Sequence, residues 1–568
     1  MKHLNGKVSI VAIFFAATAL LVFYLLSIRW QIYLPIALFW IAVASMLGTI
    51  TYQILRGELL SSDVKLVLLE IAVTCFVFHL IYVIPYYGLP GFDPYTDMGS
   101  AKGILSSGFV LGDPKYINYT SNFPMIHILG AILSMITGID IFSVAKWFSP
   151  LVGVAVIPLL YLLVRCIFKE EKVALLSALL FACLQNQISF ISGFIRETLA
   201  LVLAVCCLYL YFSAKHSPHP ATNYALSIMC LIATVFAHHL TSFMLLIFLS
   251  IHFLVTKMSE VPSLRRTYFG DKIMGEKVTT AFLSIALVAT LAYWTYVIIY
   301  PLYTLVTFVR DVFTPVQWGV GTYAEIAGIS AASIRTIRGY IIFYGFYSFL
   351  LIFDLILLYG LLPRAKNRRV ETYSFSLFLL FCGLIGFLSL YVLAPAAFPD
   401  RFLTYGWLFG FVPLVAAILK GKYKWLRRIG VLLLVAFMLF NIYMVATPYW
   451  NPTREDPPAN PSLEYYALAN TFNFSTGKIL ASSNPGLAIY DVHNNLGTFF
   501  SYSSGVNLTQ FAWVIIEKKE LALEKSYYPG PSTGTIAVLE HLVSECPVGY
   551  NKIYESDNLI AIKVRSGS

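Results

Sequence analysis

Apolar runs separated by short polar segments recur along most of the chain, and most are long enough for a helix to cross a bilayer, which takes about 20 residues. They fall near 8–28, 31–54, 64–84, 143–165, 172–190, 196–213, 223–237, 240–256, 278–301, 339–362, 374–393, 402–419 and 429–447, which makes thirteen predicted spans. A shorter apolar segment, 123–139, breaks the alternation of sides if it is made to span. With Asn122 as its cap and Pro124 in its first turn, it reads as an interfacial or re-entrant helix inside a long loop over 85–142. Past 447 the pattern changes. Prolines at 448, 452, 457, 458 and 461 lead to a predicted helix at 462–472. Apolar or alternating runs follow at 478–482, 486–491 and 511–516, then a helix near 534–545 and a closing hairpin from Ile553 through Asp557-Asn558 to Val564. This reads as a small α/β domain.

Charge orients the spans. Lys and Arg gather in alternate loops, around Lys2 and Lys7, Arg56 and Lys65, 165–172, Lys215, 257–277, 364–369 and 420–428. Those loops are assigned to the cytoplasm, which places the N-terminus there and the C-terminal domain outside. Three acceptable N-x-S/T sequons, at Asn118, Asn473 and Asn507, all fall on the outer side of this topology. Composition agrees: of 568 residues 58% are hydrophobic and only 12% charged, whereas soluble domains carry about 25% charged residues. The net charge of +10 resides mostly in loops and signals orientation, not nucleic-acid binding. Lys2 and Lys7 before a long apolar run resemble a signal peptide, but no small-residue cleavage site follows, so a retained first helix is expected. Seven of eight cysteines sit in apolar segments and Cys546 alone in the tail, so neither a zinc site nor an intradomain disulfide is expected there. No phosphate-binding glycine loop is present, which argues against ATP-driven transport.

Candidate chemistry gathers at the outer face. Gly91-Phe92-Asp93-Pro94-Tyr95-Thr96-Asp97 places two carboxylates four residues apart, in a turn held by Pro94, just past the third span. Acids at a membrane boundary are costly, so a metal, a cationic partner or proton chemistry accounts for them better than chance; helix capping is the bland reading. Arg196-Glu197 opens a span, where Glu197 either favours the helix dipole or joins Asp93 and Asp97 around Mg²⁺ or Mn²⁺. Arg196 has the forked donors that suit a phosphate. His238 and His239 sit between two spans, and one of them is expected to line the outer cavity. In the loop 302–338, Gly319 to Glu325 with Arg310, Arg335 and Arg338 reads as a lid or a plain surface loop. Arg401, with Tyr405 in the same stretch, opens a further span and is a phosphate-binding candidate. Glu70 and Asp354 fall nearer the cytoplasmic ends and are left out of the site.

This layout resembles the GT-C superfamily of multi-span glycosyltransferases, which take sugars from polyprenyl-phosphate carriers on the outer membrane face. Asp93-Pro94-Tyr95 resembles the DPY motif of oligosaccharyltransferase catalytic subunits, and Thr322 to Glu325 is similar to their T-x-x-E element. A second acidic site follows at Arg196-Glu197, and four spans separate Glu325 from the outer tail. The tail and span pattern also look like archaeal membrane glycosyltransferases, and the layout is similar to protein O-mannosyltransferases. The acceptor-binding signature W-W-D-Y-G is absent, Pro448-Tyr449-Trp450-Asn451 standing there, and the second acidic motif is Arg-Glu instead of D-x-D or D-x-E. The resemblance covers about 85–447.

The expectation is an α-helical polytopic membrane protein with a transmembrane domain at 1–447 and an extracytoplasmic α/β domain at 448–568. The resemblance implies transfer of a sugar from a polyprenyl- or dolichyl-phosphate donor to a lipid-linked glycan or surface protein. En bloc glycan transfer to protein and a lipid-linked-sugar flippase are the alternatives. It implies Asp93 or Asp97 as general base, and Arg196, Arg401, His238, His239 and Tyr405 around the donor phosphate. Asp93, Glu197 and Glu325 would be ligands if Mg²⁺ or Mn²⁺ is used, a metal-independent mechanism being equally open.

Overall fold

The computed structural model describes residues 2–30, 32, 34–56, 59–85, 88–90, 93–110, 119–261, 276–298, 370–392, 404–406, 412, 415–416, 418–419, 424–446, 479–481, 498–499, 513–517, 550–555 and 559–564. The expected span at 339–362, the loop 302–338, the sequon asparagines, Arg401 and the tail helices lie outside them.

The chain divides into two compact units. The first holds Met1–Pro85, Ser100–Trp318 and Phe343–Thr447, and the second holds Tyr86–Gly99, Gly319–Ile342 and Pro448–Ser568. The first unit is built of α1 (Lys2–Arg29), α2 (Ile36–Leu55), α3 (Ser61–Val83) and the end of α4 (Asp93–Ser107). It continues with α5 (Met125–Thr137), α6 (Ile141–Val154), α7 (Val156–Phe168), α8 (Glu171–Ala182), α9 (Gln185–Ile191), α10 (Arg196–Ala214), α11 (Pro220–Ala237) and α12 (His239–Glu260). The last described helices are α13 (Glu276–Tyr296), α14 (Val370–Val392) and α15 (Lys424–Ala446). Among the described residues eight helices are long and apolar enough to cross a membrane. The fold is therefore the α-helical polytopic class that the apolar runs predict.

The centre of this unit is α8, buried at every position from Val173 to Ala182. Such a helix is apolar all round because it is wrapped on every side, here by α3 and α7 among others. Polar ties cross between spans: Tyr211 donates to Thr279 at 2.9 Å, and His252 Nδ1 lies 3.0 Å from the Ser374 hydroxyl. Bonds of this kind between membrane helices contribute about 0.6 kcal/mol on average.

Three local departures from the sequence reading matter for the site. The run 172–190 is not one helix, since α8 ends at Ala182 and α9 restarts at Gln185. The break is stabilised from elsewhere: the Gln185 backbone N–H donates to Asn441 Oδ1 at 3.0 Å, satisfying one of the donors that a helix start leaves orphaned. Asn122 is not the cap of α5; it belongs to a 3₁₀ turn, Tyr119–Asn122, and Pro124 takes the cap position. Asp93 and Asp97 stand in the opening turns of α4, not in a free turn. Pro94 fits there because its missing N–H is one the first helical turn cannot pair anyway.

Close approach around α9 and α5 depends on two glycines. A Cβ on Gly153 of α6 would lie 2.2 Å from Ile191 Cγ2, and one on Gly130 of α5 would lie 2.6 Å from Phe194 Cζ. Gly153→Ala is expected to destabilise the protein by about 1–3 kcal/mol through overpacking. The measurement is the thermal midpoint in detergent, and an unchanged midpoint would contradict this packing.

Asp140 caps α6, its Oδ1 accepting the Ser143 N–H at 2.9 Å. Slight burial raises its carboxyl pKa, but the hydrogen bonds from Ser143 and the neighbouring backbone outweigh this and hold it below the ordinary 3.8. A depressed folded pKa gives stability that is present above the ordinary value and lost as pH falls through the folded one. Asp140→Ala is accordingly expected to cost about 1 kcal/mol near neutral pH. The deficit should shrink in acid, read by comparing thermal midpoints of the two proteins at pH 7 and below pH 3.8.

In the second unit the described strands form one sheet in the order β2-β1-β3-β5-β4, with β1 (Ile479–Ala481), β2 (Thr498–Phe499), β3 (Trp513–Glu517), β4 (Tyr550–Glu555) and β5 (Leu559–Val564). The strand β1 runs parallel to β2 and β3, whereas β5 is antiparallel to β3 and β4. On the central strands β3 and β5, consecutive residues Val514-Ile515 and Ile560-Ala561-Ile562 are fully buried, so both faces of the sheet are covered there.

Candidate functional site

The polar cluster of the first unit is assembled at the N-terminus of α10. The turn before it is locked locally. Ile195 N–H donates to the Gly193 carbonyl at 2.9 Å, and Thr198 donates to Ile195 O at 3.0 Å through its backbone and to Gly193 O at 3.2 Å through its hydroxyl. This turn delivers Arg196 and Glu197, only 8% and 6% exposed, to the first turn of the helix, where a carboxylate is favoured by the helix dipole.

Glu197 is the end point of a hydrogen-bonded chain. Tyr405 O–H donates to Glu197 Oε1 at 2.7 Å, the Thr241 hydroxyl lies 2.6 Å from the Tyr405 oxygen, and His238 Nδ1 lies 2.9 Å from Thr241 Oγ1. With the Tyr405 proton spent on the carboxylate, one consistent assignment remains: Thr241 donates to Tyr405 and His238 Nδ1–H donates to Thr241. Every donor then points toward Glu197. All four residues are buried, so the chain is shielded from water, where such bonds are strengthened by the low dielectric.

Both histidines reach this cluster, although two adjacent positions on one helix would diverge. The backbone of His238 is extended (φ −162°, ψ 129°), and it breaks the chain between α11 and α12. The rings of His238 and His239 consequently stand 4.7 Å apart. His239 packs on Phe123 with 5.3 Å between centroids, and the Arg196 guanidinium carbon lies 6.0 Å from the same ring. His238 therefore joins the chain through Thr241, while His239 meets Phe123.

Phe123, fully buried, is pinned from the other side. Tyr293 donates to the Asn122 carbonyl and its ring lies 6.1 Å from Phe123; Trp294 completes the apolar floor with Val235 and Ile298. Thus the segment that leads into α5 is anchored directly against the Arg196 side chain.

The acidic pair belongs to the other unit. Asp93 is half-buried and Asp97 fully buried, and their spacing of four on α4 puts them on one helix face. The Thr96 hydroxyl donates to the Asp93 carbonyl at 2.8 Å, and the Leu89 N–H donates to the Tyr95 hydroxyl at 3.0 Å, fixing the first turn. Of the residues singled out in the sequence, then, Arg196, Glu197, His238, His239 and Tyr405 come together, Asp93 and Asp97 form a separate pair, and Arg401 and Glu325 lie outside the described residues. Among the described residues no three His, Cys, Asp or Glu side chains converge as metal ligands. Thr241 and Phe123 were missed as site residues. The His238-x-x-Thr241 spacing at a helix start was a signal for the first; nothing in the sequence places Phe123 beside Arg196.

No protein-family model matches the sequence, and neither does any curated protein. Solved structures with a similar fold include the archaeal oligosaccharyltransferase AglB from Archaeoglobus fulgidus, in complex with an inhibitory peptide and a dolichol-phosphate. It is 13% identical, with 81% of this chain and 71% of that chain covered and a TM-score of 0.47. The Archaeoglobus fulgidus oligosaccharyltransferase tethered with an acceptor peptide containing the NVT sequon gives 13% identity, 83% and 72% coverage and a TM-score of 0.48. ArnT from Cupriavidus metallidurans bound to undecaprenyl phosphate gives 10% identity, 89% and 98% coverage and a TM-score of 0.41.

Proposed function

We propose that this chain is a membrane glycosyltransferase that moves a sugar from a polyprenyl- or dolichyl-phosphate donor to a lipid-linked glycan or surface-protein acceptor at the outer face. The observation that carries the reading is the buried start of α10, which brings Arg196 and Glu197 in succession and where Tyr405, Thr241 and His238 align their donors on the carboxylate. A buried forked cation over Phe123 suits a phosphoryl leaving group, and a carboxylate held by Tyr405 suits a hydroxyl-rich sugar. The likeness of Asp93-Pro94-Tyr95 to a catalytic motif of multi-span glycosyltransferases points the same way.

In the reaction the acceptor hydroxyl gives its proton to Asp93 or Asp97, and its oxygen bonds to the anomeric carbon of the donor sugar. The bond between that carbon and the phosphate oxygen breaks, and the electron pair leaves on the lipid phosphate. Arg196, with Arg401, stabilises the negative charge that develops there. Glu197, held by Tyr405, accepts hydrogen bonds from the sugar or acceptor and keeps it in line. Glu325 lies outside the described residues, and Asp93 and Glu197 belong to different units, so the steps are written with side chains alone.

The test is transfer from a radiolabelled polyprenyl-phosphate sugar by purified, reconstituted protein, with Asp93→Asn beside wild type. Transfer by wild type that falls in the variant supports the reading. No turnover by wild type with any donor would move the assignment to a transporter or a non-catalytic scaffold.

A further inference from the structure

The polar residues on and around α9 are not used by the chemistry above, yet they are buried inside a run of membrane-spanning helices. Asn186, Gln187, Ser192, Thr404 and His79 are all at most 7% exposed. Uncompensated polar groups at such depth are costly, so their pairing is informative. At one end of α9, the Asn186 side-chain amide donates to Thr404 Oγ1 at 2.8 Å. Thr404 is the neighbour of Tyr405, which holds Glu197. At the other end, His79 of α3 lies with Nδ1 3.1 Å from Ser192 Oγ, and Ser192 opens the locked turn that ends in Arg196-Glu197.

The two ends are linked. Gln187 Nε2 lies 3.4 Å from His79 Nε2, and the Ser192 hydroxyl donates back to the Ile188 carbonyl. One tautomer satisfies all of this: Gln187 donates to Nε2, Nδ1–H donates to Ser192, and Ser192 donates to Ile188. The backbone end of α9 is tied as well, through Gln185 N–H to Asn441 of α15. One short helix therefore holds both the strip that carries Tyr405 and the turn that carries Glu197.

We propose that α9 and His79 form an intramembrane positioning bracket that sets the distance between Glu197 and Tyr405. Asn186 and His79 are its two anchor points, and neither touches substrate. The inference deepens the proposed function and rests on it for its kinetic consequence, but the bracket itself has a readout that needs no turnover.

That readout is the ¹⁹F resonance of 3-fluorotyrosine placed at position 405 in the purified full-length chain in detergent. Glu197→Ala gives the position of the resonance when the Tyr405–Glu197 bond is lost. Asn186→Ala and His79→Leu are expected to move the signal toward that position, and His79→Asn, which keeps a donor, to move it by less than half as much. The same two variants should lower kcat about tenfold with KM within about twofold, because a displaced orienting group costs rate, not binding. If Asn186→Ala does not fold, Thr404→Val removes the same bond from its other side and must give the same shift. A folded Asn186→Ala or Thr404→Val protein whose fluorine signal stays at the wild-type position overturns the bracket, even if stability drops. Absence of turnover in wild type would sink the glycosyltransferase reading and leave the fluorine shift to decide the bracket alone.

Discussion

Asp97→Asn is expected to lower sugar transfer by about two to four orders of magnitude, the range that a positioned general base supplies. Asn has nearly the volume of Asp and can keep the fully buried side chain in place on α4, so the loss reports the missing carboxylate and not a collapsed helix. The measurement is single-turnover transfer in reconstituted vesicles, with the thermal midpoint recorded alongside. Since Asp93 shares the same face of α4, the pair must be read together. Full activity in Asp97→Asn with loss in Asp93→Asn would make Asp93 the base, and full activity in both would end this mechanism.

The second large effect is at Arg196. Arg196→Met should reduce kcat by about two to three orders of magnitude, because the proposed mechanism sets the guanidinium where charge appears on the departing phosphate. KM for the donor should rise as well, since the donor phosphate is already charged in the ground state. Arg196→Lys keeps the charge but loses the planar fork that lies over Phe123, and is expected to recover only part of the rate. A variant with a wild-type rate and an altered KM alone would assign Arg196 to donor binding only.

These two predictions differ in how far the sequence supports them. The acidic pair was visible as a spacing: four residues and a proline placed two carboxylates together whatever the rest of the fold does. That they stand on a helix instead of in a turn changes their geometry but not their pairing. Arg196 and Glu197 were visible as charges at the start of an apolar run. Their partners were not. Tyr405 stands 208 positions from Glu197 and Thr241 stands 164 from Tyr405, and no local pattern encodes a contact across such a separation.

The same division holds for the helices. Apolar length and the placement of Lys and Arg determined that the chain crosses a membrane many times, because the cost of an unpaired backbone in lipid acts on each 20-residue segment independently of the others. The sequence signal from Ile553 through Asp557-Asn558 to Val564 likewise predicted the closing hairpin, and β4 is paired with β5. The break at 183–184 was hidden in a continuous apolar run, since the group that makes it tolerable, Asn441, arrives from another span. The convergence of His238 and His239 depended on one extended residue between two helices. Local hydrophobicity and charge act over one or two turns and are written in order along the chain. The hydrogen bonds that build the cluster around Glu197 join residues brought together only when the spans pack, and the tertiary structure alone decided them.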